Sequence, residues 1–279
     1  MWPRRGEVRY LLNGAFYTLA WGETGNPAAP PVVCVHDLTR TGRDFDALAD
    51  ALADRFRVVC PDLPGRGRSQ WLGEPSLYEP ASYVQALSHL LGVLERPVAW
   101  VGTGLGGILG MVVASSVGQP ITRLVLNDAG PFIPSNGLAR VRELLRQPTV
   151  FPDMPTLERR LRALHGMAGR LTDTQWAHLA RYSARLLPDG RVAFHYDPAL
   201  VKPIIETPPH DQHLWAFWDR IRVPVLVLRG EASDLLDPIT LARMEQAGAS
   251  SLTVPDTGHA PALMDAATIG AVRRFLLDR

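Results

Sequence analysis

The segment Trp100-Val-Gly102-Thr-Gly104-Leu-Gly106-Gly107 has the glycine spacing of G-x-S-x-G, in which small flanking residues let a buried strand turn tightly into a helix and expose a nucleophilic hydroxyl. Here the central residue is Gly104, which has no side chain to attack with. Two other chemically capable groups each follow a strand-like run: Asp234 in Arg229-Gly-Glu-Ala-Ser-Asp234-Leu-Leu and His259 in Thr257-Gly258-His259-Ala260. In acyl transfer a carboxylate holds an imidazole tautomer, the imidazole takes the nucleophile's proton, and backbone N–H groups stabilise the oxyanion. Loss of the nucleophile costs roughly 10⁶ in turnover in the serine-protease case, so efficient acyl-enzyme chemistry at position 104 is excluded. Thr103 cannot substitute, because consecutive side chains leaving a strand point to opposite faces.

The elements that must position these groups are legible from periodicity. Residues 8–12 and 15–21 flank Asn13-Gly14, a strong hairpin signal. Short apolar runs at 31–35, 57–60, 98–101, 123–126 and 223–228, with a weaker one at 251–254, predict buried parallel strands. Helical patterns at 45–53, 82–95, 105–117, 239–247 and 266–277 alternate with them, which predicts a mostly parallel sheet covered on both faces. From Gly130 to about Arg220 the alternation breaks into helical patterns at 139–146, 156–164 and 174–186 with several prolines. This predicts a helical cap, residues 131–220, inserted into a core made of 1–130 and 221–279 and lying over the C-terminal edge of the sheet. Trp176, Tyr182, Tyr196, Trp215 and Trp218 are its candidate pocket aromatics, most of them expected to be cap core.

Over nearly its whole length the chain resembles a bacterial α/β-hydrolase of the esterase and lipase group, whose members usually read V-G-T-S-L-G-G at the turn and H-G-L-T-R before the first helix. The resemblance implies the α/β-hydrolase fold, with a mostly parallel eight-stranded sheet flanked by helices. It places Gly104 at the nucleophile position, Asp234 at the orienting acid and His259 at the base, in the nucleophile–acid–base order of that fold, with Asp128 as the alternative acid. By analogy the oxyanion donors are the N–H groups of Leu38 and Leu105. His36, Trp176 and Trp215 complete the expected substrate-binding set, and Asp62-Leu-Pro-Gly65-Arg-Gly67-Arg-Ser69 corresponds to a structural loop.

A second departure is His36-Asp37-Leu38-Thr39-Arg40, with Asp37 where glycine is usual. A carboxylate there repels a developing oxyanion. Asp37 either points to solvent and caps a turn, or enters the space left by the absent serine and acts beside His259 as a general base or nucleophile.

Composition narrows the partners. The 279 residues, 46% apolar and 20% charged, suit one sizeable domain, and a net charge of +1 with no basic run argues against nucleic acid or a membrane surface. No apolar stretch nears the roughly 18 residues of a membrane span, and Met1-Trp-Pro-Arg-Arg-Gly-Glu lacks a secretory pattern, so a cytoplasmic location is expected by default. Cys34 and Cys60 fall within strands and read as buried free thiols. The eight histidines show no H-E-x-x-H spacing and the glycine run lacks G-K-[ST], so neither metal nor cofactor is implied and the expected partner is a small molecule, an ester or related acyl compound. Three accounts compete: an esterase inactivated at Gly104, whether by design or incidentally; a repurposed lyase or carboxylate-based enzyme using Asp37 and His259; and a non-catalytic receptor for a small apolar ligand.

Overall fold

The computed structural model describes residues 2–165 and 169–278. Strands β1 (Arg4–Leu12) and β2 (Ala15–Thr24) form the opening antiparallel hairpin, with Asn13 and Gly14 both at positive φ (46° and 80°), the handedness that matches strand twist. Then come β3 (Pro31–Val35), β4 (Arg57–Pro61), β5 (Val98–Thr103), β6 (Ile121–Asn127), β7 (Val225–Gly230) and β8 (Ser250–Val254). The spatial order is β1-β2-β4-β3-β5-β6-β7-β8, parallel from β4 onward.

Every residue of β3 is buried, and alternate side chains feed opposite cores: Val33 and Val35 join Trp100 and Leu109, while Val32 and Cys34 join Phe45 and Leu48. The same alternation explains why these strands are uniformly apolar. Helices α1 (Asp46–Leu52), α2 (Pro80–Leu94) and α3 (Leu105–Ala114) cover the two faces. Cys34 and Cys60 are buried free thiols, as expected.

Between β6 and β7 the chain forms α4 (Ser135–Leu145), α5 (Met154–His165), α6 (Asp173–Ser183), α7 (Lys202–Glu206) and α8 (Trp215–Trp218). Helix α6 opens on a capping box of Thr172 and Gln175. The helical pattern predicted to run to residue 186 stops at Ser183, because Ala184–Leu186 pairs with Val192–Phe194, which also pairs with Val150–Phe151. Such two- and three-residue strands are too short to carry a periodic signal. Helices α9 (Pro238–Gln246) and α10 (Ala266–Leu277) complete the layers. Among the described residues no helix is long and apolar enough to cross a membrane.

Candidate active site

The inserted helices and the loops at the C-terminal ends of β3, β5, β6, β7 and β8 enclose a cavity of about 840 Å³, lined by Asp37, Leu38, Gly104, Leu105, Asp128 and His259 at its floor. A crevice beyond the carboxyl ends of the strands is where open α/β sheets bind ligands.

Gly104 makes the strand-to-helix turn at φ 49°, ψ −113°, a conformation that disfavours any Cβ. Its flanking glycines are needed for closure, since a Cβ on Gly102 would lie 2.2 Å from the Gly106 carbonyl oxygen. The turn frees the N–H of Leu105, at the start of α3, to point into the cavity.

The Asp37 carboxylate fills the place of the missing side chain. Leu105 donates its N–H to Asp37 Oδ1 at 2.9 Å, and the Leu38 N–H adds to the pull that lowers this carboxyl. One of the two donors expected to hold an oxyanion, the Leu105 N–H, therefore holds Asp37. A Cβ at residue 104 would lie 2.2 Å from Asp37 Oδ1 and 2.5 Å from its Cγ, so glycine at 104 and this position of Asp37 are sterically interdependent. The reading in which Asp37 turns to solvent is overturned.

Asp37 Oδ2 lies 3.4 Å from His259 Nε2, and the Asp37 and His259 side chains retain 20% and 17% exposure. On the other side of the ring, His259 Nδ1 is 2.6 Å from Asp128 Oδ2. Asp128 is fully buried and its carboxylate also accepts from Gly230 N–H (3.0 Å), the Ser233 hydroxyl (2.6 Å) and Ala260 N–H (3.3 Å). One imidazole thus sits between two carboxylates. Burial works against its charged form, but the hydrogen bonds and charges of Asp128 and Asp37 prevail and push its pKa up to about 10. Burial likewise raises the Asp37 carboxyl, yet His259 and the N–H groups of Leu105 and Leu38 outweigh it and hold the group well below the usual carboxylate range. At neutral pH Asp37 is therefore a carboxylate and His259 an imidazolium.

Asp234 does not meet the histidine. It lines the cavity paired with Arg140 of α4, whose Nη2 is 2.7 Å from Asp234 Oδ1; burial raises its carboxyl but the Arg140 hydrogen bonds hold it below its ordinary value. The partner of His259 is the alternative acid, Asp128. Its advantage is anchorage: Asp128 takes positive φ (54°) at the end of β6, and β7 fixes its carboxylate through Gly230.

Three other expected contacts are corrected. His36 is fully buried and outside the cavity lining: its Nδ1–H donates to the Asp37 carbonyl at 2.7 Å and its Nε2 accepts from Leu63 N–H at 2.8 Å. Burial drives its pKa down to about 3, so it is a neutral strut beneath the Asp37 loop. Trp176 is buried under the Arg162 guanidinium, and Trp215 packs under Arg243, neither lining the cavity. Of the candidate aromatics, Tyr196 is the one in the lining. Thr103 faces away, its hydroxyl accepting from Asn127 Nδ2 at 3.0 Å.

The 62–69 loop is structural, as read from sequence. Asp62 accepts from Gly42 and Arg68 N–H groups, and buried Arg66 donates to the Leu38 carbonyl at 2.8 Å, tying this loop to the one that carries Asp37. Sequence reasoning overlooked Arg140, Arg160 and His165 in the lining. A signal existed for Arg160, because it occupies a position of the apolar stripe Leu157, Leu161, Leu164 on α5. Among the described residues no group of three or more His, Cys, Asp or Glu is arranged to hold a metal ion.

The chain matches the family described as alpha/beta hydrolase over residues 32–271. It is 39% identical to a 3-hydroxybutyrate-oligomer hydrolase of Cupriavidus necator, across 98% of this chain and 97% of that one. It is 27% identical to a pimeloyl-[acyl-carrier protein] methyl ester esterase of Pectobacterium carotovorum, across 88% and 92%. Among solved structures, an alpha/beta hydrolase from Novosphingobium aromaticivorans superposes with a TM-score of 0.87 at 35% identity, covering 98% of each chain.

Proposed function

The chain belongs to the alpha/beta hydrolase family of enzymes, and on that premise we propose that it is a hydrolase in which Asp37, not a serine at position 104, is the attacking group. The observation that carries this reading is the Asp37 carboxylate itself, bonded to the Leu105 N–H with its second oxygen 3.4 Å from His259 and open to the cavity.

The same geometry disfavours attack on a carbonyl, since the attacking group already occupies the Leu105 donor and its charge lies where an oxyanion would form. It suits a saturated carbon bearing a leaving group that departs as an anion. Asp37 Oδ2 forms a bond to that carbon as the carbon–leaving-group bond breaks, and the leaving group takes the electron pair. The product is an alkyl ester of Asp37. Esterification removes the Asp37 charge, one of the two interactions that raise the His259 pKa, so His259 releases its proton to solvent and becomes a base. A water then attacks Asp37 Cγ while His259, oriented by Asp128, takes its proton. The negative charge develops on Oδ1, between the N–H groups of Leu38 and Leu105. Collapse restores the carboxylate and imidazolium and releases an alcohol, so the sum is RX plus water giving ROH, X⁻ and a proton. The inserted helices act as the cap, and a small-molecule substrate fits the enclosed cavity.

A second reading is favoured by the esters named for the relatives: Asp37 activates water directly toward an ester carbonyl. The two are separated by intact and peptide mass spectrometry after incubation with 6-bromohexanoate and 1-bromohexane. In His259→Gln, which keeps a donor toward Asp128 but cannot act as base, an adduct of the alkyl chain on the Asp37 peptide is expected, absent in Asp37→Asn. An unlabelled Asp37 peptide in His259→Gln refutes the covalent route.

A further inference from the structure

The charged groups lining the cavity are matched, with one exception. Asp37, His259 and Asp128 neutralise one another in part, Arg140 pairs with Asp234, and Arg40 pairs with Asp44. Arg160 enters no ion pair among the described residues, and its Nε and Nη2 are buried without a hydrogen-bond partner there. Two buried guanidinium nitrogens without a partner are unfavourable, so their presence needs a reason beyond packing. It lies in the apolar stripe of α5, where the periodicity calls for leucine, and lines the cavity with Leu161, Leu164 and Tyr196. Tyr196 is within reach of its charge: burial pushes the phenol up to about 12 and Arg160 acts in the opposite direction. Arg160 is supplied by the inserted helices, whereas Asp37 and His259 rise from the sheet.

We infer that Arg160 is the recognition residue for a carboxylate on the substrate, which is therefore an acid whose carboxylate reaches the cap while an apolar chain places its reactive carbon over Asp37. A planar guanidinium with two free donors matches a carboxylate in a bidentate fashion. The inference rests on the reading of this cavity as the substrate site, but not on Asp37 being the nucleophile.

Isothermal titration with hexanoate and hexanamide tests it on the intact protein, Arg160→Leu, Arg160→Lys and Asp37→Asn. The parent protein binds hexanoate, Arg160→Leu binds it about 10- to 100-fold more weakly, and Arg160→Lys falls between them. Hexanamide binds more weakly than hexanoate and is indifferent to Arg160→Leu. The leucine variant also unfolds at the same or a higher temperature than the parent, since an unpaired buried cation has been replaced by an apolar side chain. Equal hexanoate affinity in the parent and Arg160→Leu, equal binding of acid and amide, or no hexanoate binding at millimolar concentration overturns the assignment. Asp37→Asn retains hexanoate binding. Arg160-dependent binding with no Asp37 adduct therefore refutes the nucleophile reading alone, and an Asp37 adduct with Arg160-independent binding refutes this one alone.

Discussion

Restoring serine at position 104 should fail by itself and succeed only when Asp37 is removed with it. The serine Cβ would stand 2.2 Å from Asp37 Oδ1 and 2.5 Å from Cγ, inside any real contact distance, so Gly104→Ser must expel the carboxylate from its site. Expulsion breaks the bond from Leu105. At about 1.5–3 kcal/mol for a charge-assisted bond, the single variant loses about that much. With about 2–4 °C per kcal/mol for a domain of this size, its unfolding midpoint falls by about 3–12 °C. The double variant Asp37→Gly/Gly104→Ser lacks the same bonding but has no clash, so it should lose less than the sum of the two single variants. Esterase activity should be epistatic in the same sense. The expelled carboxylate of Gly104→Ser stays beside the oxyanion site and repels the developing charge, so removing it should lift the double variant at least about 100-fold above Gly104→Ser on p-nitrophenyl butyrate. Differential scanning fluorimetry and a p-nitrophenolate assay on all four proteins complete the cycle. Additive effects on stability, or a single Gly104→Ser variant as active as the double, would refute the interdependence of residues 37 and 104.

Three further outcomes follow from the site. Asp128→Asn should lower the His259 pKa, read by NMR titration of the imidazole, and reduce turnover at least about 100-fold, whereas Asp234→Asn should leave the titration nearly unchanged. The pH dependence of stability has a definite sign. His259, raised from 6.5 to about 10, contributes stability that is complete below about pH 6.5 and lost as pH rises toward 10, at a slope of about 1.4 kcal/mol per pH unit. Asp37, held below its ordinary 3.8, contributes stability present above that value and lost as pH falls through its lowered one. Urea midpoints measured from pH 3 to 10 should therefore peak between about 4 and 6.5, with the alkaline decline ending at a lower pH in Asp37→Asn. His36→Phe leaves the Leu63 N–H without its buried acceptor and should cost about 1–3 kcal/mol in the same assay, with His259 still titrating high.

The frame of this molecule was legible without coordinates because it rests on local periodicity. A run such as Pro31–Val35 is apolar on both faces, which only a strand buried in the middle of a covered sheet requires, and Asn13-Gly14 specifies its turn by backbone handedness alone. Gly104 and His259 each lie just beyond a strand, whereas Leu38 and Leu105 were implied by the family resemblance. Residues that contribute through packing were misjudged: His36, Trp176 and Trp215 have the chemistry of ligand contacts, yet their surroundings consume them. Residue type says what a side chain can do but not which way it faces.

The choice of acid and the state of Asp37 belonged to the tertiary structure. Asp128 and Asp234 both follow a strand, and what separates them is an arginine 94 residues from Asp234 in the chain, on α4, that engages Asp234, while β7 fixes Asp128 beneath the imidazole. In the sequence, Asp37 and Gly104 are two unrelated departures, 67 positions apart. Only when β3 and β5 lie side by side does the missing Cβ become the space a carboxylate occupies, and only there do two backbone N–H groups and an imidazole converge to keep it charged. Such convergence is a property of distances between elements, which no local pattern encodes.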